Sequence, residues 1–127
     1  MQDFRNLRVW QKAHTLSLDV YKTSKSFPRE EMYGLTSQVR RASVSIAANI
    51  AEGACRNGDV DFARFLQMAA GSASEVEYHL LLASDLEFLE TVDYKRLSDE
   101  VVEVKRMLAT LMHKLRADSR ELTAFSQ

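Results

Sequence analysis

Gln38, Arg41, Ser45, Asn49 and Glu52 recur at spacings of three or four residues, so on a helix they project from one face. A guanidinium, a carboxylate, two amides and a hydroxyl on one line support two kinds of chemistry. One is a network of ion pairs and hydrogen bonds that locks helices together; the other is a pocket for a polar ligand or a nucleic acid. Arg41 and Glu52 stand about three turns apart at 1.5 Å per residue, so each needs a partner on another helix or chain. Glu75 is the natural carboxylate for Arg41. A buried pair of this kind adds little net stability once desolvation is counted, but it penalises wrong registers, which suits assembly specificity.

Other constellations point away from catalysis. Di-iron helical bundles place Glu-x-x-His on one helix so that both ligands face inward. The residues three before His14, His79 and His113 are Gln11, Val76 and Thr110, so that ligand set is absent. Glu75 and His79 are four apart and can in principle share a metal, but a solvated or interhelix pair is the favoured reading. Gly71 to Glu75 reads GSASE, which is no nucleophile elbow, and none of the four glycines belongs to a phosphate-cradling loop. Cys55 follows a helix whose C-terminal dipole opposes a thiolate, although Arg56 is adjacent, so an inert thiol is expected. No catalytic residue, metal ligand or cofactor site is therefore assigned, and a non-enzymatic protein is expected.

Charge constrains the partners. With 17 Lys and Arg against 18 Asp and Glu the net charge is -1, so phosphate attraction requires segregated charge. Up to Arg64 there are ten basic and seven acidic residues; from Phe65 onward there are seven and eleven. Arg5, Arg8 and Lys12 form an N-terminal cluster able to reach phosphates, with Phe4 and Trp10 able to stack on bases. The alternative is that Trp10 packs in the core and the three cations are solvated.

The elements that must position these groups are helices. Val9, Ala13, Leu16 and Val20 mark a first helix from about Arg8 to Ser24, ended before Phe27-Pro28 because proline disfavours a helical predecessor. A second spans about Glu30 to Cys55, with Leu35, Val39, Ala42, Ile46 and Ile50 as its apolar stripe. Asn57-Gly58-Asp59 then interrupts the pattern, with Gly58 suited to a left-handed turn and Asp59 to capping the next helix through its side chain. The third spans about Val60 to Leu86, with Phe62, Leu66, Ala69, Ala73, Val76, Leu80 and Ala83 alternating spacings of four and three. The fourth spans about Asp93 to Ala117, with Tyr94, Leu97, Val101, Val104, Leu108, Leu111 and Leu115. The tail, residues 118–127, is polar apart from Leu122 and Phe125 and is expected to fray or to dock on a neighbour. Residues 1–127 thus read as one all-α domain, an antiparallel up-down-up-down four-helix bundle.

Apolar residues exceed what one four-helix core needs. Trp10, Leu18 and Tyr21 on the first helix, and Phe65, Met68, Gly71 and Leu82 on the third, lie outside the heptad stripes, which implies a second buried face and self-association. Gly71, Ser72, Ala73 and Ser74 are small enough for close helix approach, between chains or within one. No apolar run approaches the roughly 20 residues of a membrane span, and no secretory leader precedes Asp3. A single cysteine makes no internal disulfide, so a cytoplasmic setting without membrane association is expected.

The segments FRNLRVWQKA, FPREEMYGLTSQVRRASVSIAANIAEG and FARFLQMAAGSASEVE, in this order and spacing, resemble the four-helix-bundle family of 23S rRNA intervening-sequence proteins, also called S23-like. The core of the resemblance runs from Arg41-Ala42 through Ser45-Ile46 to Asn49-Ile50-Ala51-Glu52-Gly53. It implies the bundle fold and a homo-oligomeric ring, a pentamer in the family's known examples. It also implies kinship to the accessory protein of diversity-generating retroelements, a strongly basic relative that binds nucleic acid and a reverse transcriptase. Two functions follow as expectations: an assembly protein that presents a surface to a macromolecular partner, or an accessory factor that binds RNA or DNA.

Overall fold

The computed structural model describes residues 2–126, and the side chains of residues 2–121. Four α-helices and no strand are found among them: α1 (Arg8–Ser24), α2 (Leu35–Ala54), α3 (Asp59–Asp85) and α4 (Thr91–Ser126), with single 3-10 turns at Phe4–Asn6 and Arg29–Glu31. Helix α2 lies against α1 and α3, and α4 lies against α3 and α1.

Every position of the α1, α2 and α3 stripes predicted from periodicity is buried, as are Leu97, Val101, Val104, Leu108 and Leu115 of α4; Tyr94 and Leu111 are half-buried at its edge. These side chains form one contiguous apolar cluster, to which Phe27 and Leu89 add from the connections. At 25 to 30 cal/mol per Å² of apolar surface removed from water, this cluster is the main stabilising contribution.

The helix ends differ from the sequence expectation for local reasons. Pro28 and the following turn keep Arg29–Glu31 out of α2, and Gly34, at φ -111 and ψ -116, interrupts the helical path. Glu31 then accepts a hydrogen bond from the Leu35 N–H at 3.2 Å, so α2 starts at Leu35 rather than near Glu30. Gly58 turns the chain at φ +97, the left-handed region that favours glycine. Asp59 does not cap α3 through its side chain as expected; it is the first helical residue, and with Asp61 it places negative charge at the positive end of the helix dipole. Helix α3 stops without a glycine. Glu87 takes φ +64, Phe88 N–H donates to the Ala83 carbonyl at 2.8 Å and Glu87 N–H to Ser84 at 3.0 Å, closing the last turn. Helix α4 continues to Ser126, past the expected end near Ala117, because no proline or glycine follows to stop it. The side chains of Leu122 and Phe125 lie outside the described residues.

Small residues let α2 and α3 approach closely, at Ser72 and Ala73 as expected and also at Gly53. A Cβ at Gly53 would stand 2.7 Å from Phe65 Cβ and 2.9 Å from Phe62 Cδ1, so only glycine fits against α3 there. Gly71 faces open space, with nothing within 4 Å of such a Cβ. Across the other seams, Ser17 Oγ donates to the Ser43 carbonyl at 2.9 Å and Lys105 Nζ meets Glu77 at 2.8 Å.

These two glycines make opposite predictions. Gly53→Ala should overpack the α2–α3 seam and destabilise the fold by about 1 to 3 kcal/mol. Gly71→Ala should be neutral or stabilising by up to about 1 kcal/mol, because alanine has the better helix propensity. Urea denaturation midpoints of the two variants against wild type check the pair.

Candidate functional site

The polar stripe lies on the outer flank of α2, beside α3. Its centre is a closed network: Ser45 and Ser72 share a hydrogen bond of 2.9 Å, and Asn49 Nδ2 donates to the Ser45 carbonyl at 2.9 Å and to its hydroxyl at 3.1 Å. Its ends are open. Gln38, Arg41 and Glu75 are exposed, and Arg41 and Glu75 make no ion pair with any described residue, so the expected Arg41–Glu75 contact is not formed within the chain. Glu52 is satisfied locally by Arg56 at 2.9 Å rather than by another helix. His79 is only 7% exposed and its Nδ1 is buried without a hydrogen-bond partner. Glu75, four residues earlier, is exposed. Among the described residues no three of His, Cys, Asp and Glu gather closely enough to hold a metal ion.

The N-terminal cations are separated by the fold. Arg5 pairs with Asp3 at 3.3 Å and lies 4.9 Å over the Phe4 ring. Lys12 meets Glu103 of α4 at 3.5 Å. Arg8 is exposed and lines a groove with α4. Trp10 is half-buried, stacked on His14 with centroids 4.9 Å apart and met edge-on by Phe4 at 5.0 Å. Its indole is thus already engaged with aromatic neighbours of its own chain.

Two features join distant segments, and only the first is signalled in the sequence, by the apolar residues of α1 outside its heptad stripe. The first is an apolar groove of about 430 Å³ between α1 and α2, lined by Trp10, Leu18, Tyr21, Val44 and Ala48 among others. Leu18 is 59% exposed, and Tyr21 and Val44 are also exposed. The second is an acid cluster between α1 and α4. Arg96 grips Asp19 with two hydrogen bonds of 3.0 Å and also donates to Asp93 and to Thr23. Burial alone would raise the Asp19 pKa, but the Arg96 hydrogen bonds, a bond shared with Glu100 and the Arg96 charge outweigh it and hold Asp19 below its ordinary 3.8. Glu100 goes the other way: burial first, then its bond to Asp19 and the Asp19 charge, lift it to about 7 against the opposing pull of Arg96 and Lys12. As a carboxylate, Glu100 leaves Oε2 buried with no partner; protonated, it has a hydrogen to share with Asp19.

Residues 5–110 match the family described as 23S rRNA-intervening sequence protein. The chain belongs to that family. A crystal structure from Bacteroides thetaiotaomicron VPI-5482, described as a protein with unknown function from the S23 ribosomal protein family, superposes with a TM-score of 0.74 at 24% identity. The match covers 82% of this chain and 97% of that one, and it shows a shared fold. No functionally curated protein matches the sequence. The family is one for which no enzymatic activity is indicated. Among the described residues of this 23S rRNA-intervening sequence protein, no helix is long and apolar enough to cross a membrane.

Two predictions follow from this geometry. Because Arg41 is exposed and forms no ion pair with a described residue, Arg41→Ala should change the unfolding free energy of the isolated chain by less than about 1 kcal/mol; a loss of about 3 kcal/mol or more would place a buried partner on it. Glu100 sets a pH dependence. The folded chain keeps its proton up to about pH 7 while the unfolded chain releases it near 4.5, so the native state holds the extra proton across that window. Stability therefore falls as pH rises from about 4.5 to about 7 and stays low above it. Glu100→Gln should melt higher than wild type at about pH 8, with the two curves converging near pH 4; a pH-independent difference would show that Glu100 does not titrate in this range.

Proposed function

We propose that this chain is a non-enzymatic assembly protein. Copies of the bundle associate into a closed ring, and the ring presents a surface to a macromolecular partner. The observation that carries the reading is the apolar groove between α1 and α2, where Leu18, Tyr21 and Val44 stay exposed in the single chain. Exposed apolar surface of this kind, edged by polar groups, marks an interaction site. The open ends of the adjacent polar stripe, Gln38 and Arg41 on α2 and Glu75 on α3, supply the register-setting polar contacts such an interface needs. An antiparallel up-down-up-down course of the helices is supported by the order of the contacts: Ser17 with Ser43 and Ser24 with Arg40, Asp19 with Arg96 and Lys12 with Glu103. Five subunits is the number implied by the family resemblance. A cytoplasmic setting fits the single cysteine, Cys55, which is exposed and free.

A nucleic-acid-binding accessory role, as in the retroelement relative, is the second reading. Arg5 is exposed over the Phe4 ring, Arg8 is exposed on a groove facing α4, and Arg64, Arg116 and Arg120 line a separate groove of about 390 Å³. Ring symmetry would multiply such weak cationic sites.

Light scattering on the wild-type chain at micromolar concentration should return a multiple of the chain mass, and Ala48→Glu in the groove should lower it; a monomeric wild type would end the assembly reading. For the second reading, replacing Arg5, Arg8 and Lys12 by alanine should flatten the dependence of log affinity on log salt by about 0.7 per lost contact for single strands and about 0.9 for duplex. Equal titrations of wild type and the triple variant would remove this cluster as a phosphate-binding site.

A further inference from the structure

A third groove, of about 410 Å³, runs between the start of α1 and the later part of α4. Its apolar lining is aliphatic: Leu7 and Val9 on one wall, Met107 and Leu111 on the other. Three cations, Arg8, Arg106 and Lys114, stand on its rim, and no acidic side chain among the described residues lines it. None of the three forms an ion pair with a described residue. We propose that this groove docks an acidic amphipathic peptide segment of a partner protein. The proposal rests on the surface-presenting role above and names the surface and the chemistry it selects.

Spacing and composition choose among possible occupants. Arg106 and Lys114 are eight residues apart on one helix, about 12 Å at 1.5 Å per residue, with Arg8 on the facing wall. A single anionic head group reaches one of these cations at a time. Carboxylates on successive turns of a peptide helix reach all three while the residues between them cover the apolar floor. Met107 and Leu111 stand one turn apart and form a ridge, and a partner helix with leucines at the same spacing packs beside it. Methionine adapts its shape to such a guest. Single-stranded nucleic acid would satisfy the charge but not the floor: the lining has no aromatic ring for a base to stack on, and the aromatic group of this region, Phe4, Trp10 and His14, lines the α1–α2 groove instead. Cations on a solvent-exposed rim raise association rate and selectivity for acidic partners, and their effect falls with salt.

The test is fluorescence anisotropy of the full chain with a labelled amphipathic helical peptide whose leucines, one turn apart, are flanked by glutamates. Saturable binding is expected, weakened at least tenfold by Arg106→Glu with Lys114→Glu and weakened again by Arg8→Glu. The bound side chains are exposed, so the thermal melts of these variants should match wild type; Arg106→Gln with Lys114→Gln repeats the measurement without new negative charge. A peptide with glutamine for glutamate and one with serine for leucine should both bind far more weakly than the parent. The proposal falls if charge reversal leaves the affinity unchanged, or if the serine peptide or an oligothymidylate of equal charge binds as well as the parent. It also falls if the charge-reversed variants lose mass by light scattering, since the occupant is then a second copy of this chain. The wild-type light-scattering mass tests assembly separately, so failure of one reading is distinguishable from failure of the other.

Discussion

Burial of α2 on two sides is the constraint from which the rest of the architecture follows. A helix flanked by α1 and by α3 must be narrow, and α2 is built from Ala42, Ser43, Ala47, Gly53 and Ala54 between its larger residues Leu35, Val39, Ile46 and Ile50. A close approach is made at Gly53, where Phe62 and Phe65 of α3 occupy the space a side chain would need. The serine hydroxyls drawn into the seams are satisfied there, because an unpaired buried hydroxyl costs roughly 1 to 3 kcal/mol. The Ser43 hydroxyl donates to the Arg40 carbonyl, the Ser17 hydroxyl to the Ser43 carbonyl, and Ser45 pairs with Ser72. The serines of α2 thus serve close packing and hydrogen bonding together.

The seam between α1 and α4 is held differently. Beneath it lie Val9, Leu16, Leu97, Val101, Val104 and Leu108, but its rim is electrostatic, with Arg96 bridging Asp19 and Asp93 and Lys12 facing Glu103. Such partly exposed pairs contribute little each, and they orient more than they stabilise. Glu100 sits in this rim as a carboxyl group better accommodated neutral than charged. The same seam continues into the groove of Arg8, Arg106 and Lys114, where the cations form no ion pair with a described residue. One interface thus passes from internally compensated charge to uncompensated charge along its length, and it is the uncompensated stretch that is available to another molecule.

Periodicity alone determined the helical class and the membership of the core stripes, because apolar spacing of three and four is a property of each helix by itself. Helix ends were less legible where the stop is a local contact that no proline or glycine announces: Glu31 reaching Leu35, and Glu87 accepting a left-handed conformation so that Phe88 can bond back to Ala83. Partner assignments were least legible. Arg41 and Glu75 looked complementary and do not meet, Glu52 found Arg56 on its own helix end, and Arg5, Arg8 and Lys12, adjacent in sequence, point to different surroundings. Glu52 with Arg56 and Arg5 with Asp3 are local pairs, but only the tertiary structure decided that Arg41 and Glu75 stay apart and that Lys12 meets Glu103, because a charge is neutralised by whatever the fold brings within a few ångströms of it. For the same reason only the fold could bring Arg8 beside Arg106 and Lys114, and Leu18 beside Val44, to create the two grooves.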